Sequence, residues 1–162
     1  MTKEIFTQKV LEAETTLYRI AKTILIRESD CEDAVQEAIL LAYEKRNTLK
    51  EEKYFKTWLV RILMNECYKI QRKKNKVVSY EDYVDTEKPQ PESDYSELYE
   101  ALQNLPEKIR ITIVLYYIEG YSVEEVKDLL RIPAGTVKSR LAKGRKLLKE
   151  QLDCKEVHYE TV

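Results

Sequence analysis

Gly120-Tyr121-Ser122-Val123-Glu124-Glu125-Val126-Lys127-Asp128-Leu129-Leu130, continued by Arg131-Ile132-Pro133-Ala134-Gly135-Thr136-Val137-Lys138-Ser139-Arg140-Leu141, is the stretch that decides the fold. Ser122 and Glu125 stand at capping-box spacing, and Tyr121 with Val126 fits the hydrophobic staple, so a helix starts here. It continues to Leu130, turns over Arg131-Ile132-Pro133 and gives way to a new helix from about Ala134. Two short helices joined by a tight turn, the second carrying the bases, make a helix-turn-helix. On a helical wheel Val137, Leu141, Gly144 and Leu148 face inward. Lys138, Ser139, Ala142, Lys143 and Lys146 face outward, with Arg140 and Arg145 at the borders. The outward set can reach base edges and the border pair phosphates. A purely structural hairpin is the alternative, but residues 131–149 carry seven bases and no acid.

Working outward, Leu98, Leu102 and Leu105 form a short apolar stripe, and Pro106 can open the next helix at its first turn. That helix runs through Ile109, Ile113, Tyr116 and Tyr117 and ends at Gly120, a natural C′ residue. Upstream, residues 77–95 hold six acids against one base, Lys88, with Pro89, Pro91 and Ser93 and no helical period, which reads as an acidic, flexible linker of extended character. Before it, residues 69–76 hold five bases and no acid. Two basic blocks around an acidic spacer suggest two polyanion-binding modules, or else two solvated helix faces. The expected organisation is a domain over 1–76, the linker over 77–95, the helix-turn-helix domain over 96–152 and a tail over 153–162 without clear period or cap.

In the first domain Phe6, Val10, Ala13, Leu17, Ile20 or Ala21 and Ile24 recur at three and four, the stripe of an amphipathic helix. A second helix is expected to start near Ser29 or Asp30, with Ser29 and Glu32 at capping-box spacing. Its wide apolar face is Ala34, Val35, Ala38, Ile39, Leu41 and Ala42. The opposite stripe carries Asp33, Gln36, Glu37, Leu40 and Glu44. A leucine framed by acids suits a partner with an apolar dimple and a basic rim, or is one stray apolar residue on a solvated face.

A third helix, about residues 55–74, buries Leu59, Leu63, Cys67 and Ile70 and aligns Trp58, Arg61, Asn65, Lys69 and Arg72 on its other side. Cations, an aromatic ring and an amide on one stripe match what single-stranded nucleic acid requires: charge for phosphates, a ring for stacking, an amide for a base edge. For Trp58 the core reading is the stronger one, because a helix tryptophan is usually buried. Asn65 is a mediocre helix former, so at mid-helix it points to a side-chain role.

Composition narrows the rest. With 162 residues, 35% charged, three glycines and four prolines, the chain reads as all-α, two small helical domains rather than a sandwich or barrel. Its longest apolar run, residues 111–118, is far short of the roughly 20 residues a membrane span needs. The N-terminus shows no signal-peptide core, and Cys31, Cys67 and Cys154 form no CxxC pair, while His158 has no second ligand at metal spacing. The expectation is a cytoplasmic protein with reduced thiols, no metal, no cofactor and no membrane insertion. Any cluster suited to nucleic-acid catalysis is lacking in the sequence.

These residues resemble the bacterial extracytoplasmic-function sigma factors, two-domain promoter-recognition subunits of RNA polymerase, over nearly the whole chain. Asp33-Ala34-Val35-Gln36-Glu37 looks like the family's polymerase-clamp-binding helix. Phe55-Lys56-Thr57-Trp58-Leu59 followed by Asn65 looks like its minus-10 recognition helix, and Gly120-Tyr121-Ser122 with residues 132–141 is similar to its minus-35-binding helix-turn-helix. The resemblance implies that Gln36 and Glu37 contact the beta-prime clamp and that Asn65, with Arg61 and Lys69, reads the opened minus-10 strand. It further implies that Lys138, Ser139 and Lys143 touch the minus-35 duplex and that the acidic linker threads toward the RNA channel. A membrane-linked anti-sigma factor is the implied regulator. The chain departs from the family pattern at four places: Lys127 for the usual alanine, Arg131 for the usual turn glycine, and Met64 and Lys69 for common arginine and aspartate positions. A left-handed Arg131, and at Lys127 either a looser helix crossing or a snorkelling stem, are the corresponding expectations.

The expected activity is thus that of a sigma factor without catalysis of its own, with core polymerase, promoter DNA and an anti-sigma factor as partners. The alternative, a stand-alone helix-turn-helix regulator, leaves the Trp58 stripe unexplained.

Overall fold

The structure is a computed structural model that describes residues 1–77 and 96–160. The chain divides into two compact units, Met1–Glu87 and Lys88–Val162, and each is described by itself. The described residues form helices and turns, with no strand among them, so the all-α expectation holds. The expected linker, apart from Val77 at its start, lies outside the described residues.

In the first unit α1 (Lys3–Ile24) is capped by Thr2, whose hydroxyl accepts from the Ile5 N–H at 3.3 Å. Its buried stripe of Phe6, Ala13, Leu17, Ile20, Ala21 and Ile24 follows the expected spacing. α2 (Glu28–Glu44) begins one residue before the expected start, with Arg27 at the N-cap position and no side chain capping the helix. The anticipated Ser29–Glu32 box does not form, because the Cys31 N–H already closes the first turn on the Arg27 carbonyl at 3.1 Å. Ser29 and Asp30 therefore stand inside the helix, where the acids Glu28 and Asp30 complement the positive end of its dipole. Asp30 also forms an ion pair with Lys74.

Two single 3₁₀ turns, Arg46–Thr48 and Glu52–Tyr54, lead into α3 (Phe55–Val77), three residues longer than expected. Aromatic rings close the three-helix unit. Phe6 packs edge-on against Tyr43 at 5.2 Å and against Phe55 at 5.6 Å, and Phe55 meets Trp58 at 5.9 Å. The α3 core face is wider than the sequence stripe, since Val60 and Met64 are buried beside Leu59, Leu63 and Cys67, while Ile70 is half-buried. Met64, noted above as a departure in a recognition helix, is a packing residue. Burial pushes the Cys67 thiol up to about 12 and the Cys31 thiol up to about 11, so both are neutral core groups.

The second unit opens with α4 (Ser96–Gln103), which buries Ala101 and Leu102 and leaves Leu98 exposed, contrary to its place in the expected stripe. Leu105 completes the buried set. Pro106 is the N-cap of α5 (Glu107–Ile113), which passes into a π turn, Val114–Ile118, instead of running on as regular helix. Gly120 then takes φ 77°, the left-handed geometry that ends the element.

The capping box before α6 (Val123–Leu130) is present in both directions: the Glu125 N–H donates to Ser122 Oγ and the Ser122 N–H to Glu125 Oε1, each at 3.1 Å. Arg131 takes φ 56° and ψ 48°, as anticipated, and its N–H returns to the Lys127 carbonyl. Lys127 is half-buried with its amine 3.5 Å from Glu124, so the stem lies along the helix while the charge reaches the surface. α7 (Ala134–Glu160) runs past Leu152, which corrects the expected tail: 153–160 continues the helix. Neither Gly nor Pro occurs there to stop it. Among the described residues no helix is long and apolar enough to cross a membrane.

Candidate nucleic-acid and polymerase interfaces

α2 presents its inner face to α1 and α3, burying Ala34, Val35, Ala38 and Ala42. The opposite stripe is consequently bare. Asp33, Gln36, Glu37 and Leu40 are all exposed, Leu40 at 61%, with no ion pair to either acid among the described residues. Spacings of three and four put these four on one side of the helix. An apolar knob among acceptors with no internal partner is complementary to a surface of apolar hollow and basic rim.

On α3 the structure brings the five expected residues to one accessible side: Arg61, Asn65, Lys69 and Arg72 are exposed and Trp58 is half-buried. Trp58 reconciles the two sequence readings, with part of the ring against Phe55 and the remainder open. Asn65 is exposed and makes no hydrogen bond among the described residues, so its amide is not a buried packing group. Lys69 keeps only a loose 3.9 Å contact to Glu66. Lys74, counted in the basic block, is instead engaged by Asp30 and ties α3 to α2.

Sequence reasoning missed the ground just before this stripe. A cleft of about 280 Å³ is lined by Lys9, Glu12, Ala13, Glu52, Lys53, Phe55 and Lys56. Beside it the exposed Tyr54 ring lies 4.9 Å below the Lys53 amine, which also pairs with Glu51 at 2.9 Å. These bases are scattered singly among acids in the sequence, so no charge run marks them; only the α1–α3 packing gathers Lys9 with Lys53 and Lys56.

In the second unit α7 buries Val137 and Leu141 and sets Gly144 against α5, which aims the other side of the helix at solvent. Lys138, Ser139, Ala142, Lys143, Arg145 and Lys146 are exposed and Arg140 is half-buried. Ser139 donates its hydroxyl proton to the Gly135 carbonyl at 3.0 Å and keeps its lone pairs outward. None of the five bases is paired with an acid among the described residues. Arg145 Nη1 donates instead to the Tyr117 hydroxyl at 2.9 Å. A row of unneutralised cations on the second helix of a helix-turn-helix is what duplex phosphates and groove edges require.

Fold and surface together define a helix-turn-helix DNA-binding protein with a second, three-helix unit. Two family models match it in the same order: "Sigma-70 region 2" over residues 10–77 and "Sigma-70, region 4" over residues 95–148. Among curated proteins, the ECF RNA polymerase sigma factor SigW of Bacillus subtilis is 32% identical, with 84% of this chain and 82% of that protein aligned. RNA polymerase sigma factor SigV of the same organism is 28% identical, with 93% of each chain aligned. Among solved structures, the sigma factor RpoE of Bartonella quintana, in co-crystals with the anti-sigma factor NepR, superposes with a TM-score of 0.82 at 28% identity, over 93% of this chain and 98% of that one. The chain belongs to the sigma-70 family, in its extracytoplasmic-function group of RNA polymerase sigma factors. Its function is that of the family, promoter-specific initiation of transcription by RNA polymerase. The match to region 2 accounts for the unit that a stand-alone regulator would leave without a role.

Proposed function

We propose that the three exposed stripes divide the work of promoter recognition. Asp33, Gln36, Glu37 and Leu40 of α2 dock on the beta-prime clamp of core polymerase. Trp58, Arg61, Asn65, Lys69 and Arg72 of α3 capture the opened minus-10 strand, the ring by stacking, the amide by a base edge and the cations by phosphate. Lys138, Ser139, Ala142, Lys143 and Lys146 lie in the groove of the minus-35 duplex, flanked by Arg140 and Arg145 on its phosphates. The first unit, over about 1–76, carries the first two tasks and the second, over 96–152, the third, with residues 77–95 between them. The protein acts in the cytoplasm without catalytic chemistry of its own, and an anti-sigma factor holds it inactive, as the likeness to the RpoE of the NepR complex suggests.

The observation that carries this reading is that the three stripes are exposed or half-buried and that, among the described residues, Lys69 alone of their charged side chains meets an opposite charge. Surface polar groups that the fold does not use are available to a ligand, and here their chemistry differs stripe by stripe. Run-off transcription with core polymerase and the full chain, on a template library randomised at both promoter elements, tests it. Recovery of a paired minus-35 and minus-10 consensus is the expected result. Tight duplex binding with no polymerase-dependent transcript would instead support the stand-alone regulator.

A further inference from the structure

Tyr117 occupies the π turn Val114–Ile118 and is 50% exposed. Here the Glu119 N–H reaches back five residues to the Val114 carbonyl at 2.9 Å, so the turn that encloses Tyr117 is wider than an α turn. The Tyr117 hydroxyl stands 2.9 Å from Arg145 Nη1, a contact spanning 28 positions of sequence. Tyr116 meets the Tyr117 ring edge-on, with centroids 4.9 Å apart and planes at 85°, which fixes the acceptor. Arg145 itself is exposed and has no carboxylate partner among the described residues.

We propose that Tyr117 is a positioning residue for minus-35 recognition: its phenol holds the Arg145 guanidinium ready for a duplex phosphate. The inference rests on reading α7 as the DNA-facing helix and adds a residue from outside the helix-turn-helix to its function. A guanidinium has five N–H donors, and the phenol engages one, leaving a fork for phosphate oxygens. The neutrality of the phenol matters as much as its position. A carboxylate there would orient Arg145 equally well but would cancel its charge and repel the phosphate. Without any acceptor, the arginine would have to be ordered on binding, a loss of about two- to tenfold in affinity for one immobilised side chain.

The test uses holoenzyme assembled from core polymerase and the full chain, titrated with a promoter duplex carrying the minus-35 element across a salt series. Tyr117→Phe keeps the ring and its contact with Tyr116 and removes only the acceptor. It should weaken binding about two- to tenfold with an unchanged salt slope, because no charge is lost. Arg145→Ala should weaken binding and lower the slope by about one. In the Arg145→Ala background Tyr117→Phe should add nothing, and on a minus-10 fork lacking minus-35 duplex it should match the parent. Parental affinity of Tyr117→Phe beside a weakened Arg145→Ala would overturn the positioning role alone. An equal penalty in both backgrounds would also overturn it, by showing that the tyrosine acts through packing. If Arg145→Ala leaves affinity and slope unchanged, Arg145 is not on the phosphates and the reading of α7 fails with it.

Discussion

Gly144 of α7 lies so close to Ile113 of α5 that a Cβ at position 144 would stand 2.6 Å from both Cγ1 and Cδ1 of the isoleucine and 3.0 Å from Ile109 Cγ2. The absent side chain is what lets α7 settle on α5. Gly144→Ala gains about 1 kcal/mol of helix propensity and loses about 1–3 kcal/mol by overpacking against β-branched neighbours. The expected net result is a loss of about 1 kcal/mol in urea unfolding. Gly135, which has nothing within 4 Å of its would-be Cβ, is the internal control, and Gly135→Ala should be neutral or slightly stabilising. Equal behaviour of the two variants would contradict the close approach.

Arg131 holds a left-handed backbone, with φ 56°, where the chain turns between the two helices of the motif. That conformation costs an L-residue roughly 1–2 kcal/mol, while glycine loses about 0.5–1 kcal/mol more backbone entropy on folding. Arg131→Gly should therefore raise stability by about 0.5–1 kcal/mol. A lower denaturation midpoint would mean that the arginine side chain contributes more than its backbone costs.

Both core thiols are raised by burial, Cys67 to about 12 and Cys31 to about 11. A group whose pKa is higher in the folded state contributes stability that is complete below its unfolded value and is lost as pH rises toward the folded one. Between about pH 9 and 11 each thiol should thus lower unfolding free energy by about 1.4 kcal/mol per pH unit at the limiting slope. Cys67→Ala, despite its own packing cost, should flatten that alkaline decline in equilibrium unfolding. An unchanged pH slope would place the cause elsewhere.

Glu37 is exposed on the α2 stripe, with no ion pair among the described residues. Its reversal in Glu37→Lys should change stability by no more than about 0.5 kcal/mol, as for a surface site without special features. Co-purification with core polymerase should nevertheless be suppressed, because a basic rim would then face a cation. Normal assembly, or loss of assembly only together with helical circular dichroism, would remove this stripe from docking.

Asn65 is exposed on α3, so truncation to alanine should stabilise the helix by a few tenths of a kcal/mol. Loss of a base-edge contact should cost about 1–3 kcal/mol of discrimination on the opened strand. Permanganate footprinting should show reduced melting by Asn65→Ala on duplex promoters, with polymerase binding and minus-35 affinity near the parent's. A pre-melted bubble template separates capture of the strand from its opening. Equal opening by variant and parent would take Asn65 out of strand capture.

Local chemistry alone determined the helices, the Ser122–Glu125 box, the turn at Arg131 and the outward cations of α7, because each depends on residues within a few positions of one another. Period and capping are short-range properties, and the acid-free run over 131–149 and the α2 and α3 stripes are visible from spacing. Other features could not be read from period and capping signals. The start of α2 was set by a backbone bond to Arg27 rather than by the caps at Ser29 and Glu32. Lys74 looked like one more base for a polyanion until α3 brought it to Asp30, and Lys9 looked isolated until the same packing set it beside Lys53 and Lys56. Tyr117 appeared to be one more residue of a regular helix. It stands instead in a π turn, and the packing of α7 on α5 at Gly144 and Ile113 goes with an Arg145–Tyr117 pairing across 28 residues that no periodicity encodes.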